Sequence, residues 1–342
     1  MCANCRKPAR DKIKDLCHLC GIDLFLPAVF TCRYDSSTIN MINQKNGAFL
    51  VIMLINWYPG HMAKAKRLIE ENIKVIDVIV ELVDARIPYS SANPMIGRLI
   101  GQKPSVLVLN KADLADPQKV KAWTAYYAQG GRPVIALNSK DDKDVKGLLH
   151  LIRQLAAPKL AHWKARGLKT RSVRTMILGI PNVGKSTLIN RLAGRRSAKT
   201  ADKPGETKGK QWVSLAEKLE LLDTPGVLWP KLENQVSAYR LAATGAISDT
   251  VFDMEDVVRQ LITELTARYP EALRNRFKLD ALPVTAAQTI EAIGRKRGCI
   301  VGGGTVDLEK TYKLILKDYR EGRIGLISLD FPEDFAEGGE VR

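Results

Sequence analysis

The chain has 342 residues, 45% hydrophobic and 26% charged, enough for two domains and for a packed core, which excludes bulk disorder. It carries 53 Lys and Arg against 37 Asp and Glu, a formal net charge of +16, and that excess points to a polyanionic partner, nucleic acid or anionic membrane. No run approaches the ~18 apolar residues of a spanning helix, and the N-terminus lacks the ordered regions of a signal peptide, so the expected location is cytoplasmic, with cysteines reduced or metal-bound.

Residues 1–52 read as an N-terminal extension with little sustained periodicity, disordered, wrongly assigned to the start, or zinc-binding; MLINWYPGHM at 53 reads as a natural start. The extension holds Cys2, Cys5, Cys17 and Cys20, two CxxC pairs whose thiolates could hold zinc tetrahedrally. MAKAKRLIEENIK at 62–74 has the spacing of a basic amphipathic helix. VIDVIVELVDA (75–85), SVLVLN (105–110), PVIAL (133–137) and TMILGI (175–180) are near-continuous apolar runs, as buried parallel strands are, with helical segments at 93–101 and 117–129. KQWVSLAEKLELLD at 210–223 reads as two short strands. The expected fold is α/β, a mostly parallel sheet with helices on both faces. After about residue 231 strand signals vanish and helical spacing takes over. The expected domains are therefore a nucleotide-binding domain at 53–235, a helical domain at 236–335 and a tail at 336–342.

Four strand ends carry chemistry. Asn110, Lys111 and Asp113, in NKAD after SVLVL, can read guanine. The aspartate accepts from N1–H and the exocyclic amine together, a donor pair adenine lacks. Asn110 would reach the N7/O6 side, and the Lys111 stem would cover the ring. Asn138, Ser139 and Lys140, one strand further on, would supply a backbone amide for guanine O6. GIPNVGKSTLIN at 179–190 follows a strand and opens a helix. In that context Gly179-x4-Gly184-Lys185-Ser186 is a phosphate cradle built from Asn182, Val183, Gly184, Lys185, Ser186 and Thr187. Lys185 would neutralise the β- and γ-phosphates, and Ser186 would place its hydroxyl on Mg²⁺. Asp223-Thr-Pro-Gly226 ends another strand; Asp223 can bind Mg²⁺ through water, and the Gly226 N–H can touch the γ-phosphate. Between these lies KTADKPGETKGKQ (199–211), where Thr207 is the candidate to meet Mg²⁺ and γ-phosphate.

The guanine-reading segments precede the phosphate-binding ones, an order that resembles the circularly permuted GTPases and, among them, the ribosome biogenesis GTPase A family. The resemblance runs through WYPGHMAKAK (57–66), DARIP (84–88), NKAD, GIPNVGKSTLIN, PGETKG (204–209), DTPGVLWP (223–230) and, more weakly, GCIVGGGTVDLEKT (298–311), leaving 1–52 outside. It implies a P-loop GTPase of permuted motif order, binding GTP or GDP with Mg²⁺, that acts late in assembly of the large (50S) ribosomal subunit, its C-terminal helical domain contacting rRNA. The protein is expected to be a monomer off the ribosome.

The glutamine that positions water in many GTPases is replaced by Val227, just after DTPG. His61, in WYPGHM, is the candidate to orient that water or take its proton, and the resemblance points to the same residue. Asn182 is a candidate to help hold K⁺ between phosphates, as in cation-dependent relatives. PKLAHWKARGLKTRSVR at 158–174 has six basic residues and no acid, with Trp163 placed to stack on a base; RNRFK (274–278) and GRKRG (294–298) add charge. Together these favour nucleic acid over membrane, since no strongly apolar helix face opposes them. Two alternatives remain: an rRNA-binding module that uses GTP only as a ligand, and a permuted relative with an N-terminal zinc finger acting on the small subunit.

Overall fold

The computed structural model describes residues 30–35, 38–43, 49–53, 60–167, 172–194, 211–215, 219–224, 226–228 and 234–335. The chain divides into two compact units, Met1–Ile55 and Asn56–Arg342. In the first, β1 (Phe30–Asp35), β2 (Thr38–Asn43) and β3 (Phe49–Met53) form a three-stranded antiparallel sheet in chain order. Thr38 faces Asp35 on one side and Met53 on the other. The sequence reading missed this meander, although its β-branched and aromatic content (Phe30, Thr31, Tyr34, Ile39, Ile42) is that of strands. The CxxC cysteines lie outside the described residues.

The second unit opens with α1 (Gly60–Asn72) and is built on six strands: β4 (Val78–Asp84), β5 (Ser105–Asn110), β6 (Val134–Leu137), β7 (Val173–Gly179), β8 (Gln211–Leu215) and β9 (Leu219–Asp223). Their spatial order is β6-β5-β4-β7-β9-β8, parallel throughout except for the β8–β9 ribbon. Every residue of β4 and of β5 is buried, as the unbroken apolar runs required.

Helices α2 (Pro88–Ser91), α3 (Pro94–Ile100) and α4 (Pro117–Ala128) each begin with proline at the first turn, where no amide partner is lost. Asn93 and Asp116 cap α3 and α4 by accepting backbone N–H bonds. The 24-residue α5 (Asp142–Ala165) carries the chain from β6 to β7, so the guanine-side strands reach the phosphate-side strands through one continuous helix. It runs through Pro158 and takes in the first half of the basic stretch. There Lys159 pairs with buried Asp77 at 2.5 Å, and its ammonium lies 5.5 Å from the Trp163 ring. After α6 (Lys185–Leu192) and the β8–β9 ribbon come five helices: α7 (Gln235–Ala243), α8 (Met254–Arg268), α9 (Pro270–Phe277), α10 (Ala286–Lys296) and α11 (Leu308–Arg320). A Cβ on Gly294 would sit 2.4 Å from Val306 and 2.7 Å from Thr311, so α10 approaches this stretch closely only because the side chain is absent. No helix among the described residues is long and apolar enough to cross a membrane.

Residues after α11 return to the sheet. Asp330, fully buried, accepts from Ser90 N (2.6 Å), Ser90 Oγ (2.8 Å) and Arg240 Nη1 (2.9 Å), while its carbonyl accepts from Trp123 Nε1 (3.0 Å). Burial pushes its carboxyl above the usual range, with Arg240 and Ser90 opposing. Replacing Asp330 by alanine leaves the buried Arg240 guanidinium to Glu264 alone, 3.1 Å away, and deprives the Ser90 N–H of its acceptor; urea unfolding is expected to show a loss of about 1–3 kcal/mol.

Candidate nucleotide-binding site

The parallel strands end together along one edge of the sheet, where an open α/β sheet binds its ligand. Asp84 and Asn110 are register partners on β4 and β5, and Met176 pairs with Leu222 on β7 and β9. Residues far apart in the chain therefore line one crevice.

The phosphate loop leaves β7 and closes onto α6. Gly184 caps that helix at φ 104°. A Cβ there would lie 2.4 Å from Asn110 Nδ2, and one on Gly226 would lie 2.6 Å from the Pro181 backbone. Glycine is thus required where the Asn110 loop and the DTPG loop each press against the loop between β7 and α6. Lys185, 6% exposed, donates from Nζ to the carbonyls of Ile180 (2.8 Å) and Gly179 (3.3 Å). Ser186 and Thr187 are half-buried in the first turn of α6, whose leading N–H groups have no partner within the helix. Val183 is buried, and Asn182, at φ 55°, donates from Nδ2 to the Gly245 carbonyl at 2.8 Å.

Asn110 stitches three loops together. Its Nδ2 donates to the Val183 carbonyl at 2.7 Å, and its Oδ1 accepts from Ser139 Oγ (2.6 Å) and Ser139 N (3.2 Å). An amide carries two N–H donors, so any bond to a base edge would be made beside the one to Val183. Asn138 accepts at Oδ1 from Lys140 N (2.9 Å), which shapes the exposed turn after β6. Asp113 is exposed on the 3-10 turn Ala112–Leu114, and Lys111 precedes it at φ 61°. The structure therefore brings Asn110, Ser139, Val183 and Gly184 into direct contact, with Lys111 and Asp113 on the turn that follows Asn110.

At the other end of the crevice, Val227 is fully buried among Ile69, Ile76, Ile79, Ile96 and Leu222. Its N–H donates to the Gly179 carbonyl at 3.2 Å, and its carbonyl accepts from Asn93 Nδ2 at 2.8 Å. A side chain aimed into the core is in no position to hold water. Asp223 ends β9, and His61 is the second residue of α1; the side chains of both, together with Thr207 and Trp229-Pro230, lie outside the described residues. Among the described residues no group of three or more His, Cys, Asp or Glu side chains could hold a metal ion.

A family described as "50S ribosome-binding GTPase" matches residues 174–282. "Ribosome biogenesis GTPase A" of Bacillus cereus is 45% identical over 285 residues, 83% of this chain and 96% of its own. That of Priestia megaterium is 47% identical, across 82% and 98%. The crystal structure of GNP-bound YlqF from T. maritima superposes with a TM-score of 0.57 at 27% identity, over 79% of this chain and 99% of that one. The chain belongs to the ribosome biogenesis GTPase A family. It is a GTPase of ribosome assembly, and it binds and hydrolyses GTP.

In this ribosome biogenesis GTPase, sequence reasoning passed over the groups behind the NKAD turn. Asp84 accepts from Lys111 Nζ (3.0 Å) and from Arg86 Nε (2.9 Å) and Nη2 (2.8 Å). Burial opposes the charge on Asp84, but the Arg86 guanidinium and Lys111 ammonium outweigh it and hold the carboxyl well below the usual range. Burial likewise pulls Lys111 below an ordinary lysine, with Asp84 opposing. The only hint in the sequence was DARIP, a charged pair closing an apolar strand. Its partner becomes visible only once the β4–β5 register is known.

Proposed function

We propose that this GTPase binds rRNA and acts in late maturation of the large ribosomal subunit, with residues 53–235 as the GTPase domain and 236–335 as the rRNA-binding part. The reading is carried by the meeting of Asn110, Ser139 and Gly184 at one point, in a chain whose phosphate-binding half matches a family described as 50S ribosome-binding GTPases.

Asp113 selects guanine, Lys111 and Asn110 position the base, and the 138–140 turn meets O6. Gly184, Lys185, Ser186 and Thr187 enclose the phosphates, and the Gly226 N–H meets the γ-phosphate. The glycine-lined cradle and the hydroxyl of Ser186 in the first turn of α6 suit a Mg²⁺-bound triphosphate, with Thr207 and Asp223 completing the set. The ion would neutralise charge on the β- and γ-phosphates. Hydrolysis adds water to the γ-phosphorus and releases GDP and phosphate. With Val227 in the core, His61 is the residue assigned to orient that water or take its proton. Asn182 would share a K⁺ ion between phosphates, a role that requires its oxygen, since its nitrogen serves Gly245. The net charge of +16 suits rRNA, and the protein works in the cytoplasm as a monomer off the ribosome.

Co-sedimentation of the full chain with purified 50S and 30S subunits, in a non-hydrolysable GTP analogue and in GDP, tests this. Binding to 50S in the analogue and release in GDP is expected. Preference for 30S, together with zinc in metal analysis, would favour the small-subunit reading that rests on Cys2, Cys5, Cys17 and Cys20.

A further inference from the structure

Arg86 belongs to none of the segments that touch nucleotide, yet it is among the largest fully buried side chains, at 1% exposed. A guanidinium is removed from water here only because partners surround it. Nε and Nη2 grip both oxygens of Asp84, a two-point contact that fixes the carboxylate plane as well as its position. The free lobe of Asp84 Oδ2 then takes Lys111 Nζ. Lys111 holds φ 61°, a conformation that costs a non-glycine residue about 1 kcal/mol or more. Its Nζ bond to Asp84 anchors this left-handed residue, two positions before Asp113.

The opposite side of Arg86 faces α11. Nη1 donates to the Arg320 carbonyl at 3.4 Å, and the guanidinium lies 5.2 Å from the Tyr319 ring centroid. The Arg86 carbonyl accepts from Leu329 N at 2.8 Å. The same return segment reaches the guanine turn directly. Ile327 N donates to the Leu114 carbonyl (3.1 Å), and Asp116 N donates to Ser328 Oγ (3.2 Å).

We propose that Arg86 is a positioning residue for guanine recognition, holding Asp84 so that Lys111, and with it the Asp113 turn, keeps the geometry that reads the base. The inference rests on NKAD being the guanine-reading loop. Arg86 touches no nucleotide; its effect passes through Asp84 and Lys111, and it places that geometry under the influence of α11.

The test is a double-substitution cycle on the full chain, with Kd for GDP, IDP and ADP measured for wild type, R86K, K111M and the R86K/K111M pair. R86K keeps the charge but loses the two-point grip. It is expected to weaken GDP about tenfold with turnover at saturating GTP within about twofold, and to narrow the preference of GDP over IDP, which lacks the exocyclic amine. In the K111M background R86K is expected to change Kd by less than about twofold, since the route is already cut. Additive effects, or GDP affinity unchanged in R86K, overturn the proposal. Should R86K fail to fold, D84N removes the charge that Lys111 needs and must reproduce the same non-additivity. D113A separates the two levels. If it leaves GDP-over-ADP selection intact, the guanine-loop reading itself fails. If it abolishes selection while R86K does nothing, only this inference fails.

Discussion

Replacing Lys185 by alanine is expected to lower kcat/KM for GTP by about a hundred- to a thousand-fold, the effect of removing one preorganised charge from a phosphoryl-transfer site. The ammonium is held at the mouth of α6 by the Ile180 and Gly179 carbonyls, so it is prepositioned before any phosphate arrives. Little reorganisation is then needed when charge develops on the β–γ bridge. If Lys185 meets the outer phosphates as proposed, GTP affinity should fall more than GDP affinity, and equilibrium titration of both nucleotides separates binding from turnover. The Ile180 carbonyl loses its buried donor while Gly179 keeps the Val227 N–H, so a stability loss of about 1–3 kcal/mol is expected as well. Turnover within about fivefold of wild type would remove Lys185 from the mechanism.

A methyl group at Gly184 is expected to weaken GDP binding by about a hundredfold or more, because strain at a forbidden backbone conformation and displacement of Asn110 add. The backbone sits at φ 104°, and the new Cβ would lie 2.4 Å from Asn110 Nδ2. Asn110 cannot retreat without dropping both the Val183 carbonyl and Ser139. One atom therefore disturbs the phosphate cradle and the guanine turn together. Gly97→Ala is the matched control. That glycine lies inside α3 with nothing within 4 Å of an added Cβ, so the change should leave binding intact and add up to about 1 kcal/mol of stability. Titration with a fluorescent guanine nucleotide compares the two.

Much of this site could be read from local sequence because its parts are local. SVLVLN is β5 residue for residue, and a glycine-bounded loop between a strand and Lys-Ser admits few geometries. The permuted order of motifs did not hide the mostly parallel sheet, since a nucleotide crevice depends on which strands are neighbours and not on where the chain begins; the strand order itself came only with the structure. What escaped were relations across distance. Asp84 looks like the polar end of a strand until β4 is registered against β5 and Lys111 is found above it. Val227 looked like a missing glutamine, but the structure points it into the core, where no polar side chain would fit. The sequence reading assigned no helix to 142–165, yet α5 runs there and continues through Pro158, where Lys159 joins Asp77.

The helical region departs from the sheet just past Gly226 and, by its last residues, grips Leu114, Asp116 and Arg86. The same region is also joined to the sheet half through Asn182 with Gly245, Ser90 with Ser237 and Asp330, and Trp123 with Asp330. A body fastened at this many points is carried by the sheet as one piece rather than hung from a tether, so a variant that loosens any one of these joints is expected to register in unfolding before it registers as independent motion.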